Sequence, residues 1–416
     1  MDDWYIRNHR SMTTLGIPVP ESRKTACWIS SARYRQPLDA ASSRKWQLMA
    51  GLNDYEIRVI GFAASPRPRC FQQHVHFYLL PLLPTSLLRY LTVFGFGQLL
   101  LILLALRYNC EIIVAQSPFE GAIGAVAKIF VSLLGRRPKL IIENHNNFEE
   151  DVFLQRSIPL KSLYRAMMLA LARFAFGRAD AVRVISSSTA KRARHYAPNS
   201  PQARFMTFSD TDVFRRTERR IPVNQAEDIV YAGLLIPRKG LHHLLSAFAR
   251  LEQPRARLHL VGGAENADYA KQLRRQAAEL DIGDRVSFVG AVSQAELARY
   301  FGAARAMALP SLSEGLGRVV VEAMLLGTPV IGSRVGGIPD LIIDGENGYL
   351  VEAGNEAELT AALRQIYEAD VAAMGERARA FAEDFFSPEK YVEGYRKLFE
   401  LALGETNEPK IERDSA

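Results

Sequence analysis

Glu314 and Glu322 stand seven residues apart in the stretch PSLSEGLGRVVVEAMLLGTPVIGSRVGGIPD, from Pro310 to Asp340. Between them, Gly315, Leu316 and Gly317 lead into an apolar run that begins near Arg318 and reads as a helix. Glycine lets a backbone approach a ligand closely, and the first N–H groups of a helix have no partner within it. A diphosphate placed before such a helix gains hydrogen bonds and the positive end of the helix dipole. Glu322, about one turn inside the helix, can accept hydrogen bonds from ribose hydroxyls, and Glu314, on the loop, from hydroxyls of a sugar, because each carboxylate oxygen takes one O–H. Taken singly, either acid reads equally well as a solvent-facing side chain. The fixed order of acids, glycines, apolar helix and the Gly336-Gly337 pair makes the pattern specific.

Other candidates carry less. His145, in IIENHNNFEED, follows an apolar run and falls at a strand's C-terminal end, the edge where open α/β sheets bind ligands; the plain alternative is a loop histidine making local hydrogen bonds. Asp210-Thr-Asp212 matches a short metal-binding pattern but sits just before an interdomain boundary without supporting context. His74 with His76, and His242 with His243, lack a third ligand or the HExxH arrangement, so structural roles are expected and no metal site is assigned. Gly262 and Gly263 fall short of a full GxGxxG and suit a strand-end turn. Cys27, Cys70 and Cys110 are odd in number and lack CxxC spacing, which fits a reducing cytosol.

Positioning these groups requires a parallel α/β scaffold. In the first half, strands are expected at Ala26–Ser30, Ile57–Phe62, Ile112–Ala115, Lys139–Glu143 and Ala181–Ile185, with helices at Arg44–Leu52, Gly121–Leu134 and Leu160–Phe176. The second half restarts the rhythm with strands at Asp228–Ala232, Arg257–Val261, Val286–Val289, Ala306–Pro310 and Pro329–Ser333. Helices are expected between them at Gly240–Arg250, Asp268–Leu280, Gln294–Phe301 and Arg318–Leu326. The boundary is expected near Arg215 to Ala226, giving domains at 25–220 and 221–386, preceded by a loose extension over 1–24. A last helix over 387–403 opens on Ser387-Pro388, and a polar, disordered tail over 404–416 follows.

At 416 residues with 48% hydrophobic and 23% charged side chains, the chain is long enough for two cores. A net charge of +7 suits nucleic acid, an anionic membrane or a phosphorylated ligand, but the basic residues are scattered and no nucleic-acid-binding motif appears. The N-terminus, MDDWYIRNHRSM, opens on acids and has no secretory apolar core, so a cytoplasmic location is expected. Leu79 to Leu106 is almost wholly apolar, with Arg89 its one charge. Three readings stay open: an element resting on the inner face of the cell membrane with Arg67, Arg69, Arg89 and Arg107 toward anionic headgroups, a helix buried against the sheet, or a single span.

The second half resembles the retaining glycosyltransferases of family 4 in YAGLLIPRKG, LHLVGGA, RVSFVG, LPSLSEGLGRVVVEAMLLGTPVI and SRVGGIPDLIIDGENGYLV, spanning Ile229 to about Leu350, with the E-x7-E signature complete. The resemblance implies the GT-B fold: two Rossmann-like doubly wound domains facing a central cleft, the N-terminal one holding the acceptor. It implies that Glu314 contacts the donor sugar, Glu322 the ribose and Lys239 the diphosphate. Gly233, Arg238, Gly315, Leu316, Gly317 and Arg318 would complete the donor site, Gly290 to Val292 would hold the base, and His145 would lie close to the sugar and phosphates.

The chain departs from the family pattern at Leu234, where an arginine usually stands, leaving Arg238 or Arg318 as the replacement cation; ISSARYRQP also lacks the glycine-rich loop of the first strand. The implied reaction moves a sugar from a nucleoside diphosphate to a hydroxyl, with retention and without metal or other cofactor; the apolar segment 79–106 adds the expectation of a glycan or lipid-linked acceptor in cell-surface polysaccharide assembly. A nucleotide-sugar epimerase of the same fold and a membrane-bound scaffold that has lost transfer are the competing readings.

Overall fold

The structure is a computed structural model describing residues 23–145, 161–265 and 267–405. The expected N-terminal extension, up to its last two residues, and all but the start of the expected tail lie outside the described residues.

The first sheet has eight strands, β1 (Lys24–Tyr34), β2 (Tyr55–Ala63), β3 (Arg69–Gln73), β4 (Val75–Leu80), β5 (Cys110–Ala115), β6 (Lys139–Asn144), β7 (Ala181–Val184) and β8 (Gln202–Arg204). Their order across the sheet is β3-β4-β2-β1-β5-β6-β7-β8. Pairings of β1 with β2 and β5 are parallel, and β3 joins β4 antiparallel at the edge through a turn with His74 at a φ of 64°. This hairpin was not legible in the sequence. Its short, mostly exposed β3 lacks the apolar alternation of a half-buried strand.

Among the described residues, six helices accompany these strands: α1 (Ala40–Met49), α2 (Ser86–Thr92), α3 (Gln98–Arg107), α4 (Pro118–Leu133), α5 (Lys161–Phe176) and α6 (Ser187–Tyr196), with five residues of π geometry, Val93–Gly97, between α2 and α3. Asp39 starts α1 by accepting from Ser42 N at 2.9 Å, and Trp46 on that helix meets Trp28 edge-on at 5.9 Å and Phe77 at 5.8 Å. The expected apolar segment 79–106 is thus not one element: Leu79 and Leu80 end β4 and are buried, and the helical part begins at Ser86. The three cysteines are free.

The second sheet, ordered β11-β10-β9-β12-β13-β14, contains β9 (Ile229–Ala232), β10 (Leu258–Val261), β11 (Val286–Gly290), β12 (Ala306–Leu309), β13 (Val330–Ser333) and β14 (Gly348–Val351), paired in parallel. The helices are α7 (Asp212–Arg216), α8 (Leu241–Ala249), α9 (Ala267–Glu279), α10 (Gln294–Ala303), α11 (Arg318–Met324), α12 (Glu356–Glu368), α13 (Val371–Phe385) and α14 (Pro388–Leu403). Its central strands β9, β12 and β13 are short and buried end to end, as strands covered by helices on both faces must be. Each expected element of this half is present with shifts of one to a few residues at its ends.

Contact density divides the chain into one unit of residues 1–116 and 120–141 and another of 117–119 and 142–416. The second unit therefore contains the whole second sheet, the β7–β8 end of the first, and α14, which packs on β7 and β8 rather than on the sheet that precedes it in sequence.

Candidate functional site

The site residues of the second unit are set by three glycine contacts. Gly240 has φ 66°, and a Cβ there would fall 2.1 Å from the carbonyl oxygen of Pro310, so only glycine lets the turn after Pro237-Arg238-Lys239 lie against the end of β12. Leu312 N donates to the Arg238 carbonyl at 2.8 Å, fixing that approach. On the other side, Gly336 (φ 59°) lies so close to the Glu314 carbonyl that a Cβ would sit 1.8 Å from it, and Gly337 N donates to Gly315 O at 2.9 Å. The Gly336-Gly337 pair is thus a clamp on the Glu314–Gly317 loop, which explains its place in the pattern.

Within this frame Lys239 Nζ donates to Glu314 Oε2, and both side chains are only 12% exposed. Ser311 Oγ donates to the same oxygen at 3.1 Å. Arg238 Nη1 reaches the Ser313 carbonyl at 3.4 Å, and its Nε is buried with no hydrogen-bond partner. Gly317 at φ 82° starts α11 without a side-chain cap, and Arg318 at its first position is exposed. Glu322 is buried, 8% exposed, which removes the reading of it as a solvent-facing acid. Burial pushes its carboxyl above the usual range, and the guanidinium of Arg318 opposes that.

Leu234, where the family's arginine was expected, is 42% exposed after the Gly233 turn, while the buried Tyr231 hydroxyl donates to its carbonyl at 2.8 Å. Gly290 at φ 87° ends β11 with open space where a Cβ would stand; Gly262 N donates to its carbonyl at 2.8 Å, and Val292 follows, half-buried. Gly262 itself would place a Cβ 1.8 Å from the Gly233 carbonyl, so this glycine of VGGA serves strand-end packing, as a strand-end turn requires.

His145 lies at the C-terminal end of β6, with its ring fixed from behind. Its Nε2 is 2.7 Å from Glu143 Oε2, and since a carboxylate only accepts, that nitrogen carries the proton. Glu143 is fully buried, accepts from the Tyr395 hydroxyl of α14, and sits 3.3 Å from Arg183, itself 1% exposed. Arg183 is held in turn by Tyr395 Oη at 3.0 Å and by the Met206 carbonyl at 2.6 Å. Sequence reasoning missed this buried network; its available signal was a lone arginine inside the apolar strand AVRVI.

The strand end also reaches the clamp: Asn144 donates to Thr189 O, and the Ser186 Cβ lies 3.0 Å from the Cβ position of Gly337. Beside it, Asp340 accepts from Ser187 N at 2.7 Å and from Ser187 Oγ at 2.6 Å, with Arg204 at 3.4 Å. A cavity of about 710 Å³ runs along α6 between Lys191, Arg192 and His195 and the segment Arg334 to Asp340. It borders Gly336 but not Lys239 or Glu314, so its size does not make it the chemical centre.

The remaining candidates have local partners. His243 Nδ1 lies 3.0 Å from Glu356, His76 pairs with Glu56 at 2.9 Å, His74 meets Ser43 at 2.9 Å, and Asp212 pairs with Arg216 at 3.5 Å. Among the described residues no group of three His, Cys, Asp or Glu is placed to hold a metal.

Two family models match the chain, the one described as Glycosyltransferase Family 4 over residues 46–204 and the one described as Glycosyl transferases group 1 over 214–383. The chain is 33% identical over 207 residues to a D-inositol 3-phosphate glycosyltransferase of Mycobacterium marinum, and 34% over 216 residues to that of Mycobacterium bovis. These alignments take in 47% and 49% of this chain but only 44% of either relative, so the chain spans less than half the length of the curated relatives it matches. Among solved structures, sucrose-phosphate synthase from Thermosynechococcus elongatus superposes with a TM-score of 0.69 at 22% identity, covering 92% of this chain and all of that one. The Anabaena protein HepE, solved in complex with UDP, gives 0.67 at 22% identity with the same coverage. At that identity the likeness is one of fold, and the fold is GT-B with two parallel-sheet α/β domains.

Proposed function

The chain belongs to the family 4 glycosyltransferases, and from that premise we propose that it transfers a sugar from a nucleoside diphosphate to an acceptor hydroxyl with retention of anomeric configuration. The observation that carries this reading is the Lys239–Glu314 pair, set by glycines against the entry of α11 with Glu322 buried one turn beyond. A lysine held by a carboxylate is a cation in reserve. When a diphosphate arrives, the ammonium exchanges one anion for another, and Glu314 is released to accept from sugar hydroxyls. As the bond from the anomeric carbon to the diphosphate oxygen breaks, the lysine charge stabilises the departing phosphate. The acceptor oxygen bonds to the anomeric carbon on the same face, and its proton passes to the leaving phosphate oxygen.

The donor class is supported further by HepE, whose structures contain UDP and UDP-glucose. The acceptor is a hydroxyl of a glycan or lipid-linked glycan in cell-surface polysaccharide assembly, and the groups named here carry the phosphate charge without a metal.

A thermal-shift series against UDP, GDP, ADP and their sugar conjugates, followed by product analysis with and without acceptor, tests the reading, because a ligand that binds only the folded state raises the melting temperature. Stabilisation by one nucleotide and acceptor-dependent transfer is the expected result. Acceptor-independent conversion of the donor to an epimeric sugar would make the protein an epimerase, and donor binding without turnover would make it a scaffold.

A further inference from the structure

We propose that α2, α3 and the C-terminal end of α4 form one face that docks on an anionic lipid bilayer without crossing it, so that transfer takes place at a membrane surface. The inference rests on the proposed transfer reaction only for the class of its acceptor.

Leu88–Arg107 is a helical stretch of 20 residues, long and apolar enough to cross a membrane by length and composition. Its packing argues against crossing. Val93, Leu101, Leu104 and Ala105 are buried, and α3 lies on β1 and β5 of the first sheet. A helix seated on a polar-ended sheet cannot be withdrawn into hydrocarbon without uncovering that sheet. Its opposite side is unlike that of an ordinary amphipathic helix: Leu91, Phe96, Leu99 and Leu103 are each more than half exposed. The π segment Val93–Gly97 adds a residue to the turn and so keeps Leu91 and Phe96 on the side that Leu99 and Leu103 continue.

A second patch adjoins it. Phe130, Leu133 and Leu134 are each more than half exposed, Leu133 by 78%. The connections β4 to β5 and β5 to β6 both advance the same way across the sheet, so right-handed crossovers place α3 and α4 on one sheet face. Gly124 brings α4 down to that face, where a Cβ would meet Leu140 at 2.7 Å and Ile113 at 3.3 Å. Arg136 Nη1 donates to Asn109 Oδ1 at 2.7 Å, tying the end of α4 to the turn that ends α3. The two patches therefore meet at their C-terminal ends.

Charge identifies the occupant. Residues 81–109 and 121–139 contain no Asp or Glu, while Arg89, Arg107, Arg136 and Arg137 border the apolar side chains. A two-fold contact with a second copy would set arginine against arginine with no acid to compensate. Anionic headgroups supply the missing charge over an interface that accepts Phe and Leu beneath it, the arrangement of a monotopic amphipathic surface. Of the arginines expected earlier to face headgroups, Arg69 begins the edge strand β3 and Arg67 lies in the connection before it.

Flotation of the full chain with phosphatidylcholine vesicles containing about 30% phosphatidylglycerol tests the face. Expected are binding that weakens in pure phosphatidylcholine and at high salt, release by alkaline carbonate, and a loss of about tenfold or more in the Phe96→Glu, Leu99→Glu double variant with unchanged melting. Arg107→Glu with Arg137→Glu should abolish the preference for anionic vesicles. Absence from the lipid fraction, equal binding by the double variant, or resistance to carbonate would each overturn the proposal. So would a lipid-free dimer that the double variant dissociates. Nucleotide thermal shifts on the same samples separate the two readings: lost flotation with retained nucleotide binding counts against the face alone, and the reverse counts against the transfer reaction alone.

Discussion

Lys239 donates to Glu314 across a turn and a loop that are seventy-five residues apart in sequence and joined by glycine contacts that no side chain could occupy. The pair keeps a cation and an acceptor ready at low exposure, in the place where the diphosphate and the sugar are proposed to bind. Each partner makes the other tolerable while the site is empty.

Lys239→Ala is expected to lower transfer by about a hundredfold or more through loss of leaving-group stabilisation. It also leaves Glu314 without its cation, costing about 1–3 kcal/mol in the unliganded protein. Lys239→Ala combined with Glu314→Gln should recover the melting temperature but not the activity. Melting curves and initial rates on both variants check this, and wild-type turnover in either would contradict it.

Glu322 gives a pH dependence. Its carboxyl is raised by burial, so the folded chain binds that proton more tightly than the unfolded chain. Its contribution to stability is complete below the ordinary carboxylate range and is lost as pH rises through the raised value. Glu322→Gln should therefore melt higher than wild type at neutral pH, with the difference vanishing in acid, while its stabilisation by nucleotide shrinks. A pH series of melting curves with and without nucleotide decides it.

Leu234→Arg restores the cation that the family pattern usually has. The position is exposed enough to accept the longer side chain, and one added charge-assisted contact to phosphate is worth about 1.4 kcal/mol, or about tenfold in donor affinity. Calorimetric titration at two salt concentrations should show tighter, more salt-sensitive binding than wild type. Unchanged affinity would place the diphosphate away from this turn.

Gly336→Ala forces a Cβ onto the Glu314 carbonyl from a left-handed backbone. Activity should fall well below that of a Gly345→Ala control, whose Cβ position is open and whose φ of 79° carries the same backbone strain. Comparing the two isolates loop displacement from backbone conformation.

Glu143→Gln leaves Arg183 buried without its carboxylate and should cost about 3–5 kcal/mol in denaturant unfolding. Tyr395→Phe removes one donor to that carboxylate and should cost less. A smaller effect for Glu143→Gln than for Tyr395→Phe would contradict the account of the network.

The amino-acid order determined the αβ rhythm of both halves and the second-half elements to within a few residues, because apolar runs, helical periods and turn residues act locally. It also determined the chemistry available from Glu314 to Glu322, since glycines and acids at fixed spacing constrain the backbone whatever surrounds them. Tertiary structure alone decided that Lys239 meets Glu314, that Gly336 clamps the Glu314–Gly317 loop, and that Glu322 is buried. It also brought α14 back to β7 and β8, so that Tyr395 and Glu143, 252 residues apart, share a proton donor and its acceptor behind His145. And it seated one side of the apolar segment on the sheet and left the other side bare, a division that composition cannot express because burial depends on what the fold places opposite each residue.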